Sequence, residues 1–598
     1  MIISGIYKEF SNQSNNDLLK RLLASTKKTI KKKEQHFNDN YLHLITGNTS
    51  SDINQGNILK TENSLLVGKI FCKDNYKSIT LQDLELIESN KSFVDKYWGN
   101  YLLFKKDDNK KTLTILRDPV GQLPLFYTKL STEEIVFSSE ISVIWDVLKT
   151  KPSYNWSYFS SYVVHSFITT KQTPFEGIYE LLHGCELNIS KESIEESVVW
   201  NPLDYISEYN GLEDIQHKII DTTTNVMKCW TSDFDNIFLD FSGGLDSSSL
   251  FFLLNKLLKP EQQLHPVNFF HPEVQSSDER EHAWKIAKEI GIDLIEFDNS
   301  KSLPLTPFEG KLGFKPNWPT SSLTHLSIEQ NIFDLSKSCE NTVSISGHGG
   351  DHIFLCPPPV KSLCDYFMEK GTKNFNSKLK EISSIYRKPL FPILKEMLKG
   401  VFSHYLLHSY KQQSLKLDKY RKAPWFNEEI YKLEKTIPPH PFFTTKTTKI
   451  LPGKFNFIDG IYNGLSTIKG EVRNYQNPIF YPLFSQPLLE LSLSIPTYES
   501  YSKGYDRYPF RKAISEYFKT NNVWRKDKGE TSGIMQRGLK HNEKYILELC
   551  LEGNIVKTGL IDKNLLYKNI NGMMNGQTDT QWPVSSLISA EIFMRFWD

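Results

Sequence analysis

The first third of the chain alternates short apolar segments with polar turns. Three of these segments, at 113–116, 125–127 and 135–137, are rich in β-branched, leucine or aromatic residues and are bounded by Gly, Pro or Asp. Segments of this kind are typical of antiparallel strands. A helix-like stretch near residues 16–34 interrupts them. We therefore expect an α+β domain dominated by sheet.

From about residue 210 the pattern changes to apolar strands that alternate with helices. The predicted strands lie at 236–241, 266–270, 293–297 and 342–346, and the predicted helices at 210–230, from 250 to near Pro260, and around 283–290, stopping at Gly291. Alternation at this pitch predicts a parallel sheet with helices on both faces.

The length of 598 residues is too great for one core and indicates more than one domain. We assign 1–205 to the sheet-rich domain and 206–598 to the α/β domain, with a helical insertion at about 361–435. Between 361 and 423, Lys and Arg outnumber Asp and Glu by 14 to 5. This basic stretch is either a solvated helix face or part of a groove for a peptide.

The composition narrows the class of protein. A hydrophobic fraction of 39% is ordinary for a soluble globular chain, and a net charge of +1 gives no global attraction to nucleic acid or an acidic membrane. No apolar run reaches the ~18 residues of a membrane helix, and no secretion signal is recognisable at the start. Seven scattered cysteines without a CxxC pair predict reduced thiols, so we expect a cytoplasmic protein.

The segment Ser242-Gly-Gly-Leu-Asp-Ser-Ser248 lies between a predicted strand and a predicted helix. Its glycines let the backbone approach an anion, and the helix adds its positive N-terminal end. Asp246 cannot face a phosphate unaided, so its expected role is to hold Mg²⁺. The segment resembles the pyrophosphate loop of ATP pyrophosphatases, which cleave between the α- and β-phosphates. The alternative is a simple tight turn.

A second loop, Gly347-His-Gly-Gly-Asp351, follows another predicted strand of the same sheet. Loops at the carboxyl ends of parallel strands form the ligand edge of α/β folds. One carboxylate seldom suffices for Mg²⁺ beside a triphosphate, so Asp351 is expected to complete the metal site with Asp246. A glycine turn with a solvated Asp is the alternative.

Together these motifs resemble the asparagine synthetase superfamily. The N-terminal matches, in the family's order, are Trp98-Gly-Asn-Tyr101, Arg117-Asp-Pro-Val-Gly121, Pro124-Leu-Phe-Tyr127 and Phe137-Ser-Ser-Glu140; the C-terminal domain adds Ser277-Asp-Glu-Arg280. The resemblance implies a glutaminase-like domain of the Ntn type followed by an ATP-pyrophosphatase domain, and it implies ATP and Mg²⁺ as requirements.

One position departs from that family pattern. Active glutaminases of the family carry at residue 2 a cysteine whose thiol attacks glutamine. Here that residue is Ile2. We therefore expect an N-terminal domain without glutaminase activity, acting as a scaffold.

The last third is similar to the lasso-peptide macrolactam synthetases. The similar stretches are Tyr481-Pro-Leu-Phe-Ser-Gln-Pro487, Gly504-Tyr-Asp-Arg-Tyr-Pro-Phe-Arg511 and Arg525-Lys-Asp-Lys-Gly529. This resemblance implies adenylation of an Asp or Glu side chain of a ribosomal peptide, attack by the peptide's own α-amine, and release of AMP and pyrophosphate. It also implies a separate leader peptidase and a leader-recognition protein.

The candidate site residues follow from the two loops and the resemblance. The ATP-binding set is Ser242, Gly243, Gly244, Leu245, Asp246, Ser247, Ser248, Phe269, Gly347 and Gly349; the metal ligands are Asp246 and Asp351; the catalytic residues are His348 and Lys528; and possible phosphate or substrate contacts are Glu279, Arg507 and Arg511.

Most of these roles have an alternative. His348 could orient the substrate or accept the proton of the attacking amine, or it could simply bond to backbone. Lys528 is matched to the family lysine that stabilises developing negative charge, but Lys526 lies two residues away. Asp278 and Glu279 could cap a helix instead of serving ATP, and Arg507 and Arg511 could form helix-surface ion pairs.

Three functions remain open at this point. The first is a lasso-peptide cyclase. The second is a small-molecule amide synthetase of the β-lactam-forming or ammonia-dependent type, and the third is a non-catalytic scaffold that binds peptide.

Overall fold

The computed structural model describes all residues except 1, 9–15, 30–31, 39–40, 49–56, 132–133, 149, 207–208, 309–312, 407–421, 445–449, 476–477, 527–528, 530–531 and 578–579. Two six-stranded antiparallel sheets occupy its N-terminal part. The first has the order β10-β8-β9-β1-β3-β2, built from β1 (Ile2–Lys8), β2 (Lys32–Asn38), β3 (Leu42–Asn48), β8 (Phe126–Lys129), β9 (Glu134–Ser138) and β10 (Ile178–Glu180). The second has the order β12-β11-β7-β6-β5-β4, built from β4 (Asn57–Lys60), β5 (Ser64–Cys72), β6 (Tyr97–Asp107), β7 (Thr112–Arg117), β11 (Cys185–Ile189) and β12 (Ile194–Val198).

The inner faces of these two sheets share one apolar core. Phe104 of β6 and Phe137 of β9 are both fully buried, and their rings stack with centroids 5.9 Å apart. Ile2 begins β1 and is 4% exposed. The helices of this part are α1 (Asn16–Thr29), α2 (Leu81–Glu85), α3 (Asn90–Lys96), α4 (Ile141–Val147) and α5 (Trp156–His165).

A five-stranded sheet with the order β15-β14-β13-β16-β17 forms the centre of the C-terminal part. All its pairings are parallel. Its strands are β13 (Asn236–Asp240), β14 (Gln263–Phe270), β15 (Ile295–Asp298), β16 (Thr342–Ile345) and β17 (Ile479–Phe480). The middle strand, β13, leads into the first glycine loop, and its neighbour β16 leads into the second.

Helices cover and extend this sheet. They are α6 (Leu212–Thr231), α7 (Leu245–Leu257), α8 (Arg280–Ile290), α9 (Leu326–Ser336), α10 (Gly350–Ile353), α11 (Ser362–Lys370), α12 (Phe375–Tyr386), α13 (Leu390–Leu406), α14 (Glu428–Glu434), α15 (Pro452–Thr467), α16 (Gln486–Ser494), α17 (Tyr508–Phe518), α18 (Ser532–His541), α19 (Glu543–Leu551), α20 (Asn554–Lys557), α21 (Lys563–Met574) and α22 (Gln581–Trp597). No helix in the described ranges is long and apolar enough to cross a membrane.

The predicted fold class is confirmed, and the predicted elements differ from the observed ones at their ends. The helix expected near 16–34 ends at Thr29, and strand β2 begins at Lys32. The run of lysines there is compatible with either structure, and pairing of β2 with β3 decides for the strand. Helix α8 stops before Gly291 as expected, because that residue takes a left-handed conformation with φ of 80°.

Candidate active site

The first glycine loop joins the middle strand of the parallel sheet to helix α7. Gly243 has a φ of +73°, and a Cβ atom there would lie 2.8 Å from the backbone nitrogen of Ala283 in α8. Only glycine suits both conditions. Gly244 is the N-cap of α7, and its backbone N–H donates to Ser242 Oγ at 3.2 Å. The loop therefore presents backbone N–H groups and the positive helix end at one place, as phosphate binding needs.

Two serines complete the first loop. Ser242 Oγ and Ser247 Oγ are 3.2 Å apart, so their hydroxyls converge at the mouth of the loop. The hydroxyl of Ser248 is buried and has no hydrogen-bond partner among the described residues. A buried donor without a partner favours a ligand at this position.

The second glycine loop packs directly against the first. A Cβ atom on Gly347 would lie 2.9 Å from the backbone nitrogen of Ser247, and one on Gly349, whose φ is +114°, would meet the ring of Phe484 at 2.8 Å. Gly350 lies beneath the carboxylate of Asp246. The sequence predicted that both loops lie at one edge of the sheet. The two loops can approach each other this closely because these glycines have no side chains.

The two predicted metal ligands converge on one arginine. Arg507 Nη1 lies 2.7 Å from Asp246 Oδ2 and 2.5 Å from Asp351 Oδ1. The arginine side chain is only 6% exposed, while those of Asp246 and Asp351 are 15% and 34% exposed. Its αL backbone, with φ of 49°, turns the guanidinium toward both carboxylates just before α17 begins.

This geometry fits Mg²⁺ held jointly by protein and nucleotide. Two carboxylates close enough to share one cationic nitrogen can share one metal ion. Within the described ranges, no group of three or more His, Cys, Asp or Glu side chains could hold a metal. Further ligands would have to come from phosphates and water, as is usual for Mg²⁺ at phosphoryl sites.

His348 lies at the exposed tip of the second loop. Its Nε2 is 2.5 Å from the hydroxyl of Thr467 at the end of α15. Its ring is 6.2 Å from that of Tyr481 and 5.7 Å from that of Phe484. The hydrogen-bond partner of Nε2 is thus a side chain of the C-terminal domain, and the His348 residue is exposed.

Sequence reasoning missed a group of charges beside this loop. Arg473 binds both carboxylate oxygens of Asp240, the last residue of β13, at 2.9 and 3.0 Å, and it also bonds to Glu329. Glu471 has one oxygen 3.5 Å from Tyr481 Oη and the other buried without a partner among the described residues. Burial and the neighbouring Glu329 carboxylate raise the pKa of Glu471 to about 7, against the opposing pull of Arg473.

A carboxyl group with a pKa near neutrality can both accept and donate a proton at physiological pH. Tyr481 contacts both Glu471 and the ring of His348, so the acidic group lies on the same side of the site as the second loop. The only sequence feature that could have pointed to Glu471 was a cluster of charged residues in an otherwise apolar stretch directly after a helix. Such a cluster by itself predicts a surface turn.

Glu279 anchors the segment that carries the predicted catalytic lysine. Its Oε1 accepts hydrogen bonds from Arg525 Nη2 at 2.7 Å and from the backbone nitrogen of Gly529 at 3.1 Å. Arg525 Nη1 donates in turn to the carbonyl of Gly243 in the first loop, at 3.2 Å. Arg525 is therefore bonded to the first glycine loop, and Gly529 is linked to Arg525 through Glu279. Lys528 itself lies outside the described residues, so its role stays a prediction.

The remaining candidates have different surroundings. Lys526 is exposed, and its Nζ lies 4.3 Å from the centre of the Tyr505 ring.

Arg511 donates to the carbonyl of Asp506 at 2.9 Å and to its carboxylate at 3.0 Å. The side chain of Asp278, not that of Glu279, accepts a hydrogen bond at the start of α8, from the backbone nitrogen of Arg280. Phe269 is half-buried in β14, with its ring 5.8 Å from that of Phe297. The predicted phosphate contact of Arg511 and the nucleotide contact of Phe269 stay predictions.

Two family models match this chain. A family model described as asparagine synthase matches residues 231–432 and 479–595, and one described as a glutamine amidotransferase domain matches residues 83–200. The chain is 21% identical over 548 residues to the Microcin J25-processing protein McjC of Escherichia coli, covering 89% of this chain and 92% of that protein. It is 24% identical over 239 residues to Asparagine synthetase [glutamine-hydrolyzing] 2 of Bacillus subtilis (strain 168), covering 36% and 30% of the two chains.

Among solved structures, glutamine phosphoribosylpyrophosphate amidotransferase from B. subtilis, complexed with ADP and GMP, covers 59% of this chain and 77% of its own. Its identity is 10% and its TM-score 0.23, which is too low to support an argument. The family matches confirm the resemblance predicted from the motifs.

Proposed function

Since this chain belongs to the asparagine synthase family, whose members form amide bonds with ATP, we propose that it is a lasso-peptide cyclase. Its substrate would be a ribosomal precursor peptide, and its product a macrolactam closed between the peptide's α-amine and an Asp or Glu side chain. The proposal is supported by similarity to a microcin-processing protein over nearly the full length of both chains. No comparable length is shared with the asparagine synthetase.

The observation that carries the chemistry is the convergence of the two glycine loops on Asp246, Asp351 and Arg507. In the first step, an oxygen of the substrate carboxylate attacks the α-phosphorus of ATP, and pyrophosphate leaves. The backbone N–H groups of the first loop would stabilise the phosphate charge that develops, and so would Arg525, which is bonded to Gly243 of that loop. Mg²⁺ held by Asp246 and Asp351 would neutralise phosphate charge.

In the second step, the α-amine attacks the acyl carbon of the adenylate, and AMP leaves with the electron pair of the broken C–O bond. The ammonium form must first lose a proton, since an α-amine has a pKa of about 8. Glu471, with a pKa of about 7, is matched to that task, and His348 would orient the reacting groups at the exposed tip of the second loop. Lys528 would stabilise the negative charge that forms on the carbonyl oxygen.

The protein's remaining task is to hold the peptide so that amine and acyl carbon meet. Bringing them together converts the reaction into a unimolecular step, which can be worth about 7–11 kcal/mol. Helices α12 and α13, each with one more lysine than acidic residues, lie after the second loop and offer one candidate surface for the peptide. In the cell, we expect a leader peptidase and a leader-recognition protein to supply the free amine and deliver the substrate.

The test uses the purified full chain with Mg²⁺-ATP and peptides encoded by short reading frames beside its gene. The expected result is peptide-dependent release of AMP and pyrophosphate and a product lighter than the peptide by one water. Release of ADP would refute adenylation. AMP release with free amino acids plus ammonium, and none with any peptide, would replace the cyclase by a small-molecule amide synthetase. Peptide binding without nucleotide turnover would indicate the scaffold.

A matched control is Asp246→Asn, which keeps the shape of the side chain and removes its charge. The expected variant binds peptide but releases no AMP. If it released AMP at the rate of the parent chain, the first loop would not be the nucleotide site.

A further inference from the structure

Residues 466–473 connect three parts of the molecule. Thr467 bonds to His348 of the second loop, and Arg473 binds Asp240 at the end of the middle strand. Glu471 lies between these two contacts in sequence. The side chain of Lys469 reaches the N-terminal domain, where Nζ bonds to Glu180 Oε2 at 2.8 Å. The segment that bears the proposed proton acceptor, and that contacts both His348 and the end of β13, is thus fastened to the N-terminal domain, which has no assigned chemical task.

The anchor on the N-terminal side is rigid and almost fully buried. Glu180, the last residue of β10, is 1% exposed at its side chain, and Arg117, the last residue of β7, is 0% exposed. Arg117 Nη1 bonds to Glu180 Oε1 at 2.7 Å, and Arg117 Nε donates to the carbonyl of Leu123 at 2.9 Å. One oxygen of Glu180 is therefore fixed from within its own domain, and the other is turned outward.

The outward oxygen receives two donors from the C-terminal part. Trp318 Nε1 donates to Glu180 Oε2 at 3.0 Å, and Lys469 Nζ lies 5.3 Å from the centre of the same indole ring. Gly470, next to Lys469, has a φ of +64°, and a Cβ atom there would meet the Trp318 ring at 2.9 Å. The backbone at 469–470 is consequently pressed against Trp318 while its lysine is bound by Glu180.

We propose that Glu180 and Lys469 are positioning residues for the active site, and that the N-terminal domain serves the reaction by fixing residues 466–473 through this buried bridge. The inference rests on the proposed function for its kinetic consequence. Buried charge pairs often add little net stability, and an attested role of some of them is to specify one arrangement of the chain. Here the specified arrangement is that of Thr467, Glu471 and Arg473.

A second bridge between the same two parts of the chain provides a matched control. Lys73 Nζ lies 2.7 Å from Glu490 Oε1, with side chains 15% and 12% exposed. It joins the end of β5 to helix α16 and has no contact with residues 466–473 among those described. If bridges merely hold the domains together, removing either one should have the same effect.

The first experiment needs no substrate. Hydrogen–deuterium exchange of the full chain is compared between the parent protein and the variants Lys469→Met, Lys469→Arg and Lys73→Met. Lys469→Met leaves the neutral pair of Arg117 and Glu180 intact, so the variant is expected to fold. Exchange within 466–473 should rise roughly tenfold or more in Lys469→Met, be largely restored in Lys469→Arg, and stay at the parent level in Lys73→Met.

The second experiment separates this inference from the proposed function. With a peptide substrate, kcat for ring closure should fall about 10²-fold in Lys469→Met while KM for ATP stays within about twofold, since the nucleotide loop is held by other contacts. Unchanged exchange in Lys469→Met, or an equal rise in Lys73→Met, overturns the inference. So does a loss of ATP affinity equal to the loss of kcat. If no peptide is cyclised by the parent chain, the proposed function fails, and the exchange data still decide the bridge.

Discussion

Replacing Arg507 by methionine should make the stability of this protein depend on Mg²⁺. The guanidinium lies 2.7 and 2.5 Å from the carboxylates of Asp246 and Asp351 and is also 3.4 Å from Asp506. In Arg507→Met the carboxylates of Asp246 and Asp351 lose the guanidinium that both contact, while Asp506 keeps its ion pair with Arg511 at 3.0 Å. We expect the variant to fold less stably when no divalent ion is present, and to bind such an ion without ATP.

The magnitude follows from the geometry. Opposite unit charges 4 Å apart attract by about 4 kcal/mol at an effective dielectric constant of about 20. Asp351 is one-third exposed, so water screens part of its attraction, whereas Asp246 is more deeply buried. Removing one partner of a buried pair costs about 3–5 kcal/mol, and we expect a loss within that range. At about 2 °C per kcal/mol for a large domain, the melting temperature should fall by roughly 6–10 °C.

The assay is thermal unfolding with and without MgCl₂, at ionic strength matched with KCl. An ion at about 100 times its Kd stabilises the folded state by about 2.7 kcal/mol, so Mg²⁺ should recover much of the loss in Arg507→Met. The parent chain should respond weakly, because Arg507 already occupies the space between the carboxylates. Arg595→Met is the control, since its ion pair with Glu548 is exposed and worth about 0–1 kcal/mol.

Two results would refute this reasoning. If Arg507→Met melted at the same temperature as the parent, the carboxylates of Asp246 and Asp351 would not depend on the arginine. If it melted lower but gained nothing from Mg²⁺ beyond the KCl control, Asp246 and Asp351 would not form a metal site.

Glu471→Gln should change the pH dependence of stability. A carboxyl group whose pKa is raised to about 7 in the folded protein stabilises the fold fully at pH values below its unfolded pKa. This stabilisation is lost as the pH rises through about 7. The melting temperature of the variant relative to the parent should therefore rise between about pH 4.5 and pH 7 and level off above it, and a flat difference would contradict the raised pKa. Gly347→Ala should weaken ATP binding by about 1–3 kcal/mol in calorimetry, because its Cβ would lie 2.9 Å from Ser247 N; Gly460→Ala, where nothing lies within 4 Å, is the neutral comparison. Ser248→Ala should weaken ATP binding by about 1 kcal/mol without lowering the melting temperature; equal binding would show that its buried hydroxyl meets no nucleotide.

Much of the fold was accessible from the pattern of the chain. Strands β13, β14, β15 and β16 and helices α6 to α8 fall where the apolar segments placed them, because each is flanked by a glycine, a proline or a polar turn. The secondary structure of the segment that forms β2 could not be predicted from the sequence. Its lysines favour neither structure, and only pairing with β3 makes it a strand.

The candidate site likewise has features that the sequence predicted and features that it did not. The loops around Asp246 and Asp351 are local features, in which glycine spacing after a strand is enough to predict anion and metal binding. Their partners are distant in sequence: Arg507 meets both aspartates across more than 150 residues, and Arg525 meets Gly243 across 282. No periodicity or motif links such pairs.

The sequence by itself determined the two glycine loops, the alternation of the parallel sheet and the family resemblance, because these depend on residue type and short spacing. Only the tertiary structure decided that Glu471 has a raised pKa, since this requires Glu329 nearby and burial under Tyr481. Only the tertiary structure placed Glu180 on Lys469, 289 residues away. The protonation of a carboxyl group and the position of a loop depend on which distant charges surround them in the folded molecule, and that information exists only once the chain has packed.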